Sequence, residues 1–228
     1  VTLYYVVLNI PIQTALAVFM AVLLERFSVA LSTLLRSVMI LPWLMPNVIV
    51  ALLWLWILDP SVGVANVFLN AIGISDQPFL GSPGQAMPYI AAISIWRHAG
   101  YNAILVFAGL KTIPKSLYEA SAIDGSNAWS DFWNITLPLL RPVLVFVLVT
   151  SVIGSFQVFD TIAVTTEGGP AGATRVIMFY IVDEVFNRRI SMGTATAASV
   201  VLFTILVSVT IIQTRFLQAD QSDLADYS

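Results

Sequence analysis

The groups in this chain able to do chemistry are few, and most of them interrupt long apolar runs. Arg97, His98, Tyr101 and Asn102 share one run. Ser151, Gly154, Gln157 and Asp160 recur at helical spacing in another, with Ser155 beside them. Trp43, Asn47 and Trp54 share a third, which is broken by Pro42 and Pro46. Polar groups in a hydrocarbon-facing segment are costly and turn toward a bundle interior or a wet cavity. The stripe from Ser151 to Asp160 can serve helix packing, where small and polar residues act as glue, or can line a path for a polar solute. Gln157 and Asp160 are its members large enough to hydrogen-bond hydroxyls. Arg97 can pair with Asp160 or face a wet cavity, and it is the direct candidate should a solute carry phosphate. His98 reads as a packed, neutral residue rather than a proton relay, and Tyr101 and Asn102 can line a cavity. Trp43, Asn47 and Trp54 can offer a stacking face to a sugar ring, while Trp54 and Trp56 suit an interfacial aromatic belt equally well.

Several chemistries are disfavoured at once. The chain has one histidine and no cysteine, which argues against zinc or haem ligation, disulfides and thiolate catalysis. It also lacks a G-x-x-x-x-G-K-[ST] loop, so ATP hydrolysis is not expected on this chain.

The elements that must position these residues are membrane spans. Of 228 residues, 58% are hydrophobic and only 10% charged, against about 25% charged in an average soluble domain. A soluble fold of this size cannot hide so much apolar surface, so lipid is the solvent for most side chains. Spanning helices of about 20 apolar residues are expected at roughly 3–24, 37–58, 89–110, 139–164 and 192–216. The second is kinked or broken by its prolines. A short interfacial segment is expected at 27–36. The loop 59–88 should carry a small surface helix, because Val64, Val67, Phe68 and Ala71 recur at helical spacing. Thr174 can cap a helical stretch from Arg175 to about Asn187.

Lys and Arg beside the spans set the orientation. One side holds Arg26, Arg36, Lys111, Lys115, Arg141 and Arg215; the other holds Arg175, Arg188 and Arg189, and its long loop has no basic residue. The first side is therefore expected to be cytoplasmic. The chain opens at Val1 inside an apolar run and has no basic leader, which suggests that a further span precedes it.

The stretch 112–138 is the polar turn on the cytoplasmic side. Pro114 suits the first position of a helix, while Ser116 and Glu119 have the spacing of a capping box that would start it later. Either helix runs to about Ile123, and Asp124-Gly125 breaks it. Ser126 can cap a second helix that carries Trp129, Phe132 and Trp133 on one face. From these residues alone the turn is an amphipathic surface loop or a docking element. Ala120, Ser121 and Ala122 are small enough to let another protein approach closely.

Glu119-Ala120-Ser121, three residues, Gly125, nine residues, then Ile135-x-Leu137-Pro138 resembles the EAA motif of inner-membrane permeases of binding-protein-dependent ABC importers. Ser121 stands where that family usually has a second alanine. Leu41-Pro42-Trp43, Trp54 through Asp59-Pro60, Ala108-Gly109-Leu110 with Ile113-Pro114, Leu137-Pro138-Leu139-Leu140-Arg141-Pro142, Phe156 through Asp160 and Gly168-Gly169-Pro170 extend the resemblance over nearly the whole chain, toward the carbohydrate-uptake branch of maltose and glycerol-3-phosphate permeases.

The resemblance implies an all-α type I ABC importer transmembrane domain over 1–216, with a cytoplasmic coupling helix and a tail at 217–228. It implies ATPase coupling through Glu119, Ala120, Ser121, Asp124 and Gly125. Gln157, Asp160, Trp43, Asn47, Arg97, Tyr101 and Asn102 remain the substrate-path candidates. Implied partners are a second permease subunit, two cytoplasmic ATPase subunits that use ATP and Mg, and an extracytoplasmic solute-binding protein. The location is the bacterial inner membrane, and no metal, cofactor or nucleic acid is expected on this chain. Two other readings compete: an ion- or proton-coupled secondary transporter with Asp160, Arg97 and His98 as relay, and a structural membrane subunit with no path. A helix-turn-helix docking element suits neither.

Overall fold

A computed structural model describes residues 1–188 and 192–218. The chain runs through α1 (Thr2–Glu25), α2 (Val29–Met39), α3 (Leu41–Leu44), α4 (Asn47–Ile57), α5 (Val64–Ala71) and a short 3-10 turn at Phe79–Gly81. Next come α6 (Ala86–Leu110), α7 (Lys115–Ile123), α8 (Ala128–Asp131), a π-helical turn (Phe132–Thr136) and α9 (Leu137–Leu139). The last elements are α10 (Arg141–Phe156), α11 (Asp160–Thr165), α12 (Ile177–Asp183), a second π-helical turn (Glu184–Arg188) and α13 (Met192–Gln218). Three stretches are long and apolar enough to cross a membrane: α1, α10 with α11, and α13. A fourth is the bent pair formed by Val29–Leu44 and Asn47–Ile57. α6 is not apolar enough to join them, since it carries the polar set around Arg97. Its 25 residues nonetheless reach about 37 Å, beyond the roughly 30 Å hydrocarbon core.

α1 and α6 form the central post. They run parallel: Tyr5 donates to Ser94 Oγ at 2.8 Å near their starts, and Lys111 meets Glu25 at 2.7 Å at their ends. Both bury small residues along their length, Ala17 and Ala21 on one and Ala99, Gly100 and Ala103 on the other. Small residues let backbones approach, and in lipid, packing drives helix association. Gly100 lets a third helix close in on α6: a Cβ there would lie 1.9 Å from the carbonyl oxygen of Met39, at the end of α2. α10 packs against α1 and α13, and α11 against α4.

Two apolar clusters cap the ends of this post. One gathers Tyr5, Val50, Met87, Ile90, Ile162 and Phe179; the other gathers Ala21, Leu24, Val106, Phe107, Leu140 and Val147. Between them lies a polar layer that includes Asn9, Gln13, Ser94, Asn102 and Ser155, all buried.

Three local expectations change, while the break in the second span forms as expected. The segment 27–36 is not a separate interfacial piece; Ser28 caps α2, which feeds directly into the broken span. That span turns by 94° between α3 and α4, because Pro46 has no N–H and holds an extended backbone at the break. The stretch 139–164 is not one helix: α10 stops at Phe156 and α11 restarts at Asp160, so the stripe is carried across a break, although Ser151, Gly154, Gln157 and Asp160 all face one cavity. Thr174 caps nothing. It is fully buried and donates to the Gly169 carbonyl at 2.6 Å, while α12 starts at Ile177. The small surface helix forms as α5, and buried Asn66 ties it to the loop by bonds to Pro60 and Gln77. Arg189 and the tail beyond Gln218 lie outside the described residues.

Gly100→Ala should lower the thermal unfolding midpoint of the purified protein, at a cost of about 1–3 kcal/mol or more, because a backbone oxygen cannot step aside. Gly154→Ala, with nothing within 4 Å of its Cβ position, should leave the midpoint unchanged or slightly raised.

Candidate functional site

A cavity of about 370 Å³ opens in the polar layer, walled by α1, α6, the two broken spans and the α10–α11 junction. This volume lies within the usual range of small-molecule sites. The structure brings all seven substrate-path candidates to this wall: Trp43, Asn47, Arg97, Tyr101, Asn102, Gln157 and Asp160. Sequence reasoning missed three further residues on it, Tyr5, Asn9 and Gln13 of α1. Asn9 and Gln13 lie four apart in an apolar helix, and that spacing was the available signal.

The two broken helices meet at the cavity. Asn47, first residue of α4, donates from Nδ2 to Asp160 Oδ2 at 2.9 Å, and Asp160 is the first residue of α11. Asp160 at a helix start also faces the positive end of the helix dipole. The expected pairing of Arg97 with Asp160 is not formed among the described residues. Arg97 Nη2 instead donates to the carbonyls of Trp43 and Met45, at 3.1 and 3.0 Å, where the chain leaves α3. A broken helix end leaves carbonyls without intrahelical partners, and a guanidinium can serve two of them at once. Charge-assisted bonds of this kind are worth about 1.5–3 kcal/mol each, and without them two carbonyls at the break would go unsatisfied. Arg97 Nη1 lies 3.1 Å from His98 Nε2, and His98 Nδ1 lies 2.8 Å from the Ser94 carbonyl. Accepting from Arg97 through Nε2 while donating from Nδ1 is the pattern of a neutral imidazole.

Trp43 stacks on Tyr101, with centroids 4.4 Å apart and planes within 8°. Trp54 does not join this face. It meets Trp96 edge-on within the apolar cluster, and Trp56 is exposed on the outside, as an interfacial residue would be. Asn9 Nδ2 donates to Ser155 Oγ and Gln13 Nε2 to Ser151 Oγ, which fixes α1 against α10. Asn9 Oδ1 is buried without a partner.

The second site is the polar turn. α7 begins at Lys115 with Pro114 as its N-cap and no side-chain cap, so neither the proline-first start nor the capping box at Ser116 forms. It ends as expected at Ile123. Ser126 N–H then bonds the Ser121 carbonyl and Gly125 N–H the Ala122 carbonyl, the paired closure of a Schellman turn, with Gly125 at φ +78°. Ser126 does not cap the next helix; Asn127 does, accepting from the N–H groups of Trp129 and Ser130. Ser126 and Ser121 both donate their hydroxyls to Asp131 Oδ1 at 2.6 Å. Asp131 thus clamps α8 to the end of α7, and Ser121 has a task that alanine could not perform. The Ser121 hydroxyl, and then that of Ser126, hold the Asp131 carboxyl below the ordinary carboxylate range. α7 buries none of its residues; Glu119, Ala120, Asp124 and Gly125 are exposed, and Ile123 is 88% exposed. Trp129, Phe132 and Trp133 form a ring cluster on the far side of the turn.

Residues 13–219 match the family described as binding-protein-dependent transport system inner membrane component. The chain is 34% identical to the sn-glycerol-3-phosphate transport system permease protein UgpA of Agrobacterium fabrum, over 96% of this chain and 74% of the relative. It is also 34% identical to the trehalose/maltose transport system permease protein MalF of Thermococcus litoralis, over 93% and 71%. Among solved structures it superposes, with a TM-score of 0.84 and 27% identity, on a chain of a bacterial ABC transporter involved in import of the acidic polysaccharide alginate, covering 96% of this chain and 77% of that one. A chain of an amino acid ABC transporter shares the fold at a TM-score of 0.53.

Asp131→Ala should speed hydrogen exchange of the amides from Gly125 to Ser130, with Ser121→Ala giving a smaller change and Asp131→Asn, which keeps an acceptor oxygen, the smallest. Because the folded carboxyl titrates below its unfolded value of about 3.9, the clamp is fully present above that value. Exchange corrected for intrinsic rate should stay constant from neutral to mildly acidic pH and rise only as pH falls through the lower folded value.

Proposed function

The chain belongs to the family of binding-protein-dependent transport system inner membrane components, and from that premise we propose that it is a permease subunit that forms one wall of the path for a hydroxyl-rich polar solute. Its fold is that of a type I ABC importer transmembrane domain. Residues 1–216 work as one permease domain, and the cavity between the post and the broken spans is its share of the path. The relatives named for glycerol-3-phosphate and for trehalose and maltose support a solute of the sugar and polyol class.

The energy comes from elsewhere. Two cytoplasmic ATPase subunits bind ATP and Mg, and this chain has no ATPase site of its own. A second permease subunit completes the path, and an extracytoplasmic solute-binding protein delivers the solute. The turn 112–138 faces the cytoplasm and receives the work. The observation that carries this reading is the exposure of α7: a helix without a buried residue, ending in exposed Ile123 and the Gly125 turn, makes sense as a surface seated in another protein. Closing of two ATPase subunits draws two such helices together and tips the bundle from inward-open to outward-open, a rigid-body population shift. Cytoplasmic placement is supported by the basic residues flanking this turn. It is further supported by Arg175 on the opposite side, which is held by Asp183 at 3.2 Å and Glu184 at 3.4 Å.

Glu119→Lys should abolish ATP-driven solute uptake while membrane insertion and protein level stay normal. Gly125→Pro should do the same, because proline cannot adopt the positive φ of the turn. Normal uptake by both variants in reconstituted vesicles, or uptake by this protein without any ATPase subunit, would overturn the proposal.

A further inference from the structure

We infer that the solute passing this cavity is electrically neutral, and that the wall is set against phosphate esters and uronic acids; the inference rests on the reading of the cavity as part of the path. Among the described residues, three ionisable groups other than tyrosine line the cavity: Arg97, His98 and Asp160. Gripping an anion bidentately there would require a guanidinium edge with both donors free, and with Nη2 engaged Arg97 does not offer one. Its Nη2 is spent on two backbone carbonyls, its Nη1 faces His98, and its Nε is buried without a partner. The fork that would grip a carboxylate or phosphate is turned to the backbone instead. Turning it inward would strip the cap from the end of α3.

Asp160 works in the same direction. Asn47 holds its carboxylate on the wall, where an incoming anion meets a like charge in a poorly screened space. What remains for a solute is uncharged: the amides of Asn102 and Gln157 and the flat Trp43–Tyr101 pair. A hydroxyl both donates and accepts, so it can satisfy carboxylate and amide oxygens on one side and amide N–H groups on the other. The apolar face of a saccharide ring fits against the aromatic pair. Similarity alone points less narrowly, since the relatives include transporters named for a phosphate ester and for an acidic polysaccharide.

The test uses the assembled complex in lipid nanodiscs, without its binding protein, and saturation-transfer NMR with four probes at equal concentration: trehalose, maltotriose, sn-glycerol 3-phosphate and an alginate trisaccharide. Saturation should reach at least one neutral probe and neither anion. Trp43→Ala should weaken the neutral signal about tenfold, equivalent to roughly 1.4 kcal/mol. Asp160→Asn, which keeps the shape and removes the like charge, should raise the signal of the anions. Transfer to either anion in the unmodified complex at or above the neutral level overturns the inference, and so does absence of transfer to both neutral probes. Uptake in vesicles separates the two levels: if ATP-driven uptake persists while an anion binds, only the inference about charge falls. If no ATP-driven uptake exists, the transport reading falls with it.

Discussion

A helix that breaks inside hydrocarbon exposes backbone groups that lipid cannot satisfy, and the architecture here depends on how that debt is met. The turn between α3 and α4 is held by one guanidinium, which reaches from the middle of α6 to the carbonyls of Trp43 and Met45. The restart at α11 is tied to the restart at α4 by Asn47 and Asp160. Two interruptions therefore support each other across one cavity. The polar side chains that look like chemistry in the sequence are in part the scaffolding that allows irregular backbone to exist at that depth.

This explains what could be read from the residues and what could not. The spans, the break at Pro42 and Pro46, the end of α7 at Asp124-Gly125 and the helix at Val64 all follow from local signals: apolar length, a missing N–H, a positive φ, a helical period. The break after Phe156 has no such signal, since Gln157-Val158-Phe159 contains neither proline nor glycine. The restart that follows it is bonded to a partner 113 residues away in sequence, which no local pattern announces. The same holds for Arg97. A charge opposite a charge suggests an ion pair, yet the unsatisfied carbonyls that win the cation exist only once the helix has broken. Ser126 is the expected cap of the second helix, but its hydroxyl goes to Asp131 and the neighbouring Asn127 caps instead.

The two functional regions are built on opposite principles. The cavity lies in a polar layer between two apolar clusters. The polar turn is exposed and owes its shape to short-range bonds: the Schellman pair, the Asn127 cap and the Asp131 clamp. A force-receiving element needs to keep its shape without burying itself, because the surface that would stabilise it by packing is the surface it must present. Hydroxyl-to-carboxylate bonds inside the turn supply that stiffness at little cost in area. The π-helical turn at Phe132–Thr136 then carries the chain back toward α10.

The parting of roles around Arg97 has an evolutionary consequence. The residue that frames the cavity and the amides that face its interior are different residues, so the lining can mutate without endangering the fold. Exchanging Asn102 or Gln157 alters what the wall recognises and leaves the capped bend in place, whereas any change at Arg97 must first be survived as a folding lesion. On the proposed reading, the lining can drift among related uncharged solutes by single substitutions, whereas an anionic solute calls for a further cation, since the Arg97 fork already holds the bend.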